Sequence, residues 1–160
     1  MTGPQNWADS LGPHTRPRYP RRMTSRHLSV VIHSSPEAVY ALASDPSRLP
    51  DWAAGLAGGA AEISHDTLVM DSPMGRVSVR FVPRNDLGVL DHEVTLPDGS
   101  VTYNPLRVVP HPEGAEVVFT IRQQDMDDDD FDRDSRMVAA DLDRLKLLAE
   151  NEGNPAHQAP

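Results

Sequence analysis

The sequence predicts an α+β protein: a mostly antiparallel sheet of about seven strands, closed by one long C-terminal helix, with two short helices after the first strand. Three observations carry this. Short runs with period-2 apolar alternation recur between turn signals, which is the pattern of consecutive hairpins. A proline-led apolar stretch follows the first of these runs at once. Near the end, apolar residues recur at helical spacing over about five turns.

In "RHLSVVIH", Leu28, Val30 and Ile32 alternate against His27, Ser29, Val31 and His33, a strand with one buried face. "SSPEAVYALASD" then offers Ser35 as N-cap and Pro36 at the first helical position, with Ala38, Val39 and Leu42 on one apolar face. Asp45 and Pro46 restart the chain into a second short helix that ends near Trp52. After Gly58-Gly59 come six strand-like runs: "AAEIS", "TLVMDS", "GRVSVRFVP", "GVLDHEVTL", "SVTYNPLRVVP" and "AEVVFTIRQ". Turn signals separate them at His65-Asp66, Pro73-Met74-Gly75, Asn85-Asp86, Pro97-Asp98-Gly99 and Pro112-Glu113-Gly114. The last helix is expected from about Asp128 to Asn151, with Phe131, Ser135, Val138, Leu142, Leu145 and Ala149 on one face. That face must lie across the apolar face of the sheet.

The 160 residues suffice for a buried core, and with 5% aromatics it must be built mostly from Val, Leu, Ala and Met. Residues 1–22 have neither strand nor helix period and hold four prolines; they read as a flexible basic extension. The folded domain is expected over 23–151 and a disordered tail over 152–160, with Met23 an eligible internal start. Formal net charge is −9, but residues 1–26 carry +4, which leaves −13 for the rest. An acidic body repels phosphate backbones and argues against nucleic-acid binding. The absence of cysteine excludes disulfides, thiolate metal sites and cysteine nucleophiles. No run reaches the roughly 18 apolar residues of a membrane span, and no signal-peptide core is present. These features predict a soluble cytoplasmic protein.

The order of elements resembles the helix-grip fold of the START-like, or SRPBCC, superfamily, including its polyketide cyclase/dehydrase group. The likeness covers roughly Thr24 to Glu150. It is carried by "SVVIHSSPEAVYALASDPSRLPDW" at the start and "DLDRLKLLAE" at the end, while "GVLDHEVTLPDGSVTYNPLRV" is similar to uncharacterised bacterial members. The resemblance implies a curved sheet gripping the C-terminal helix around a cavity for an apolar ligand. Val138, Leu142 and Leu145 would face that sheet, and the small Ala139 and Ala140 would leave space beside them. It also implies a cavity-side place for Trp52, for which plain packing is the alternative. Met70, Val79, Phe81 and Phe119 occupy inward-compatible strand positions and are equally eligible as core.

The segment "VLDHEVTL" sets Asp, His and Glu side by side, the residues of acid–base and metal chemistry. In a regular strand, Val89, Asp91, Glu93 and Thr95 point one way and Leu90, His92, Val94 and Leu96 the other, which splits the triplet. Asp91 and Glu93 are then expected to be solvated outer charges, with Arg107 placed to pair with one of them. His92 falls on the inner face. "LPDGS" suits a type I turn with Gly99 left-handed, which sets His92 opposite Asn104; a loop one residue shorter or longer would set Pro105 there instead. His92 and Asn104 would then orient a ligand oxygen, or His92 would exchange a proton with it. The alternative is a mutual hydrogen bond between two buried side chains.

Arg80 falls on the face opposite Val79 and is left out of the pocket. "DMDDDDFDRD" fails the EF-hand pattern, because Asp130 and Arg136 stand where Gly and Glu are required. Its expected role is to cap the last helix through Asp127 or Asp128. No nucleophile elbow, phosphate loop or dinucleotide fingerprint occurs. The expectation is a non-enzymatic carrier or sensor of a lipid, polyketide or aromatic, without metal or cofactor, as monomer or homodimer. Its candidate ligand-binding residues are Trp52, Met70, Phe81, His92, Asn104, Phe119 and Leu142. The competing readings are a cyclase- or dehydratase-like enzyme with His92 as acid–base, and a protein-interaction module with a filled core.

Overall fold

The computed structural model of the protein describes residues 23–54, 61–64, 67–72 and 75–153. The expected extension over 1–22, the turns at Gly58-Gly59, His65-Asp66 and Pro73-Met74, and residues 154–160 of the expected tail lie outside the described residues. Strand β1 (Ser25–Ile32) leads into α1 (Pro36–Ala43) and α2 (Leu49–Trp52). Seven further strands follow: β2 (Ala61–Ser64), β3 (Thr67–Ser72), β4 (Gly75–Phe81), β5 (His92–Thr95), β6 (Val101–Asn104), β7 (Leu106–His111) and β8 (Gly114–Arg122). Helix α3 (Asp128–Glu152) closes the chain. The protein is thus α+β, with antiparallel sheets wrapped on a long C-terminal helix in the helix-grip manner.

The local start signals act as the residue types require. Ser35 Oγ accepts from the Ala38 amide at 3.2 Å, and Pro36 takes the first helical position, where its missing N–H costs nothing. Asp127 Oδ1 accepts from the Asp130 amide at 2.8 Å, and the carboxylates of Asp128, Asp129 and Asp130 sit on the positive end of α3. Gly153 is the C-cap, so α3 ends one residue later than the pattern predicts. Phe131, Ser135, Leu142, Leu145 and Ala149 are buried along one stripe. Burial of a leucine such as Leu142 or Leu145 stabilises the fold by roughly 1.5–3 kcal/mol.

The described strands number eight rather than about seven, in two sheets ordered β1-β8-β7 and β2-β3-β4-β5-β6. The extra strand comes from "SVTYNPLRVVP", which breaks at Pro105 into β6 and β7. Proline has no N–H to give a ladder, and the next amide, Leu106 N, leaves the ladder to donate to Asp91 Oδ1 at 3.0 Å. β6 pairs with β5 and β7 with β8, so this bend joins the two sheets. The Thr120 amide reaches the Pro105 carbonyl at 2.9 Å and holds the junction together.

The α3 helix lies against β1, with the Arg26 guanidinium 4.4 Å from the Phe131 ring centre and Lys146 Nζ donating to the Val31 carbonyl at 2.6 Å. It is tied to the end of α2 by Arg144 Nε, which donates to the Trp52 carbonyl at 3.1 Å. No helix among the described residues is long and apolar enough to cross a membrane.

Candidate functional site

A cavity of about 230 Å³ lies between the five-stranded sheet, β8, the end of α2 and the middle of α3. Val79, Val94, Phe119, Leu142 and Trp52 form its apolar walls; His92, Asn104, Asp134 and Asp141 are its polar members. On the α3 side Met137, Val138, Asp141 and Leu142 line it, while Phe131 and Leu145 are buried in the core nearer the two ends of the helix.

The β5–β6 register is the one a left-handed Gly99 produces: its φ is +82°, and Leu96 N donates to the Ser100 carbonyl at 2.9 Å. His92 therefore faces Asn104, and Val94 faces Thr102. No hydrogen bond joins His92 to Asn104. His92 Nδ1 lies 3.1 Å from the Leu90 carbonyl oxygen instead. A carbonyl only accepts, so Nδ1 carries the proton, and in the neutral ring Nε2 is a bare acceptor. The ring stands between Phe81, 5.0 Å away and tilted, and Phe119, 5.8 Å away and edge-on.

Burial pushes the His92 pKa below its ordinary 6.5, against the smaller opposing effect of the Leu90 carbonyl. Below pH 6.5 the unfolded chain takes up a proton that the native ring resists, so this residue's contribution is lost as pH falls. Urea unfolding between pH 7 and pH 5 should show an acid-side loss approaching about 1.4 kcal/mol per pH unit in the wild type. In His92→Gln that component should be missing. Identical slopes in the two proteins would mean that the native ring protonates as freely as the unfolded one.

Asp134 was not anticipated. It lies four residues before Val138 and seven before Asp141, on the flank of the buried stripe that faces the cavity. Burial, and then the like charge of Asp141, raise its pKa above the ordinary 3.8. Asp141 is better satisfied: it pairs with Arg144 and accepts from the Ala54 amide at 3.1 Å. The spacing 134, 137, 138, 141 around Leu142 would have marked Asp134, Met137 and Asp141 as one helical face. The signal is weak, because a carboxylate on a helix ordinarily reads as solvated.

Of the candidate residues, Trp52, His92, Asn104, Phe119 and Leu142 meet at this cavity, whereas Met70 and Phe81 are not among its walls. Met70 is packed in the core at 1% exposure, and Phe81 backs the His92 ring. Ala139 and Ala140 are likewise absent from the walls, because the turn of α3 that meets the cavity presents Met137, Val138 and Asp141. Trp52 is 3% exposed, and its Nε1–H is buried without a hydrogen-bond partner among the described residues. Leaving such a donor unpaired costs about 1–3 kcal/mol.

Asp91 overturns the expectation of a solvated outer charge: it is 4% exposed. Its carboxylate accepts from the Tyr103 hydroxyl and the Leu106 amide and pairs with Arg107. Strand β5 begins only at His92, and Val89 forms an isolated bridge to Arg107, so regular alternation does not extend back to Asp91. Glu93 does lie outside, paired with Arg80 in an exposed contact worth about 0–1 kcal/mol.

No protein-family model matches the chain. No curated protein matches it either. Solved structures do. A conserved protein from Geobacillus kaustophilus superposes with a TM-score of 0.64 at 10% identity, covering 80% of this chain and 96% of its own. A Mesorhizobium loti protein gives 0.62 at 11% identity, over 80% and 98%. One from Chromobacterium violaceum gives 0.60 at 17% identity, over 79% and 97%. All three are bacterial proteins, none is named for an activity, and the likeness is one of fold.

Proposed function

We propose that the protein binds an apolar small molecule in the cavity between sheet and C-terminal helix and acts as a non-enzymatic carrier or sensor. The observation that carries this reading is the 230 Å³ cavity itself, with apolar walls and a few convergent polar side chains, the usual form of a small-molecule site. The START-like resemblance of the opening and closing segments supports the same reading, and a cytoplasmic setting suits a chain without cysteine. Native mass spectrometry of freshly purified protein tests it. The expected spectrum contains a protein–ligand species whose small component is released on denaturation. A purely apo spectrum, together with no thermal shift on adding ring compounds or lipids, would remove the proposal.

Asp134 favours a second reading. His92 Nε2, a bare acceptor in the neutral ring, and the Asp134 carboxyl, whose pKa is raised, share the walls of one cavity, and a cyclase or dehydratase uses groups of these two kinds to move protons. Isotope exchange distinguishes the two. An enzyme would accelerate deuterium uptake at the carbon beside a bound ketone's carbonyl, and Asp134→Asn would slow that uptake. A carrier would leave it at the background rate.

A further inference from the structure

The polar side chains of the cavity share a property that bears on what it holds. Among the described residues, no hydrogen bond is made by His92 Nε2, by the Asn104 side-chain amide or by the Asp134 carboxyl. Three inward polar side chains elsewhere are paired in full: Asp91 with three groups, Asn85 with four backbone groups, and Arg26 with Ser135 and Asp132. With the Trp52 Nε1–H, also without a partner among the described residues, four side chains around one small space form a set of complementary positions. His92 Nε2 accepts, and the Asn104 amide both donates and accepts.

Size and charge narrow the occupant. An engineered cavity of about 150 Å³ holds benzene, whereas pockets for drug-sized ligands start near 300 Å³. At about 230 Å³ the present cavity suits one substituted ring and is small for a long acyl chain. Its wall already resists negative charge, since burial and Asp141 both act against the ionised form of Asp134. A ligand carboxylate would add another anion to that wall.

Resting on the binding reading above, we infer that the cavity selects a small, uncharged ring compound whose polar groups are a hydroxyl and a carbonyl. The hydroxyl donates to His92 Nε2, the carbonyl accepts from the Asn104 amide, and Asp134 acts against carboxylates. Trp52, Phe119 and Leu142 enclose the ring. This separates the occupant from fatty acids and other anionic lipids, which would suit an apolar cavity of larger volume.

Calorimetric titration of the full chain at pH 7 with a graded set of probes tests the inference. 4-Hydroxyacetophenone carries both groups, 4-ethylphenol and acetophenone one each, ethylbenzene neither, and 4-ethylbenzoate a charge. The expected order places 4-hydroxyacetophenone first, about tenfold or more tighter than ethylbenzene, and 4-ethylbenzoate last. In His92→Leu, 4-hydroxyacetophenone should weaken by about tenfold while ethylbenzene stays within about twofold. Asn104→Leu should do the same for acetophenone, and it supplies the measurement if His92→Leu does not fold. Asp134→Asn, on a half-buried helical position, should strengthen 4-ethylbenzoate by about tenfold.

Equal binding of all the neutral probes would overturn the polar selection while leaving cavity binding intact. Tightest binding by 4-ethylbenzoate would overturn the charge argument. Binding of dodecanoate in preference to every ring compound would overturn the size argument. Failure of every probe, with an apo mass spectrum, would remove the binding reading and this inference together.

Discussion

Asp91→Ala should destabilise the protein by about 2–4 kcal/mol, read as a shift of the urea midpoint. The carboxylate is a hub at the bend that joins the two sheets. It receives the Leu106 amide that Pro105 displaces from the ladder, the Tyr103 hydroxyl from β6, and the charge of Arg107 from β7. Removing it strands a buried backbone donor and a guanidinium at once. Because the Arg107 side chain keeps 39% exposure and can rehydrate, the cost lies below that of a fully buried pair. Tyr103→Phe removes one of the three contacts and should cost only about 1 kcal/mol. If the two substitutions cost the same, Asp91 is an ordinary surface carboxylate and the hub does not exist. The substitution has a second readout: the same segment carries the Leu90 carbonyl that sets the His92 tautomer, so ligand retention should fall with stability.

What was legible beforehand was what short-range chemistry decides. The Ser35-Pro36 start, the Asp127 cap, the stripe from Phe131 to Ala149 and the pairing of His92 with Asn104 each depend on a few neighbouring residues. The last of these needed only the alternation of one strand and a glycine able to take a positive φ. Asp91 was misread because period-2 reasoning presumes a regular strand, and its segment leaves the ladder before β5 begins. Met70 and Phe81 were rightly placed inside but not at the cavity. Which inward residues meet another side chain and which meet space depends on where α3 crosses the sheets, a long-range fact absent from any one strand. Asp134 was hidden for the same reason, since its helix position is polar by composition and half-buried only by contact.

Gly88→Ala should be among the most damaging single substitutions, costing about 3 kcal/mol or more, whereas Gly99→Ala should cost only about 1 kcal/mol. Both glycines have positive φ, +70° and +82°, so the left-handed penalty is common to them. Their surroundings differ. A Cβ at Gly99 would meet nothing within 4 Å, whereas at Gly88 it would sit 2.0 Å from the Val108 carbonyl oxygen. That oxygen belongs to β7 backbone and cannot rotate away as a side chain would. The clash also breaks the bond from the Val108 amide to the Gly88 carbonyl, now 2.8 Å. Relief must come from the loop, which Asn85 holds with Oδ1 on the Leu87 and Val89 amides and Nδ2 on the Pro83 and Val89 carbonyls. Displacing Val89 displaces Leu90, whose amide is bonded to the Leu106 carbonyl and whose own carbonyl orients His92. A backbone substitution remote from the cavity should therefore lower both the unfolding midpoint and the retention of a bound ring compound. Comparable midpoints for Gly88→Ala and Gly99→Ala would show that this loop gives way freely and does not position the histidine.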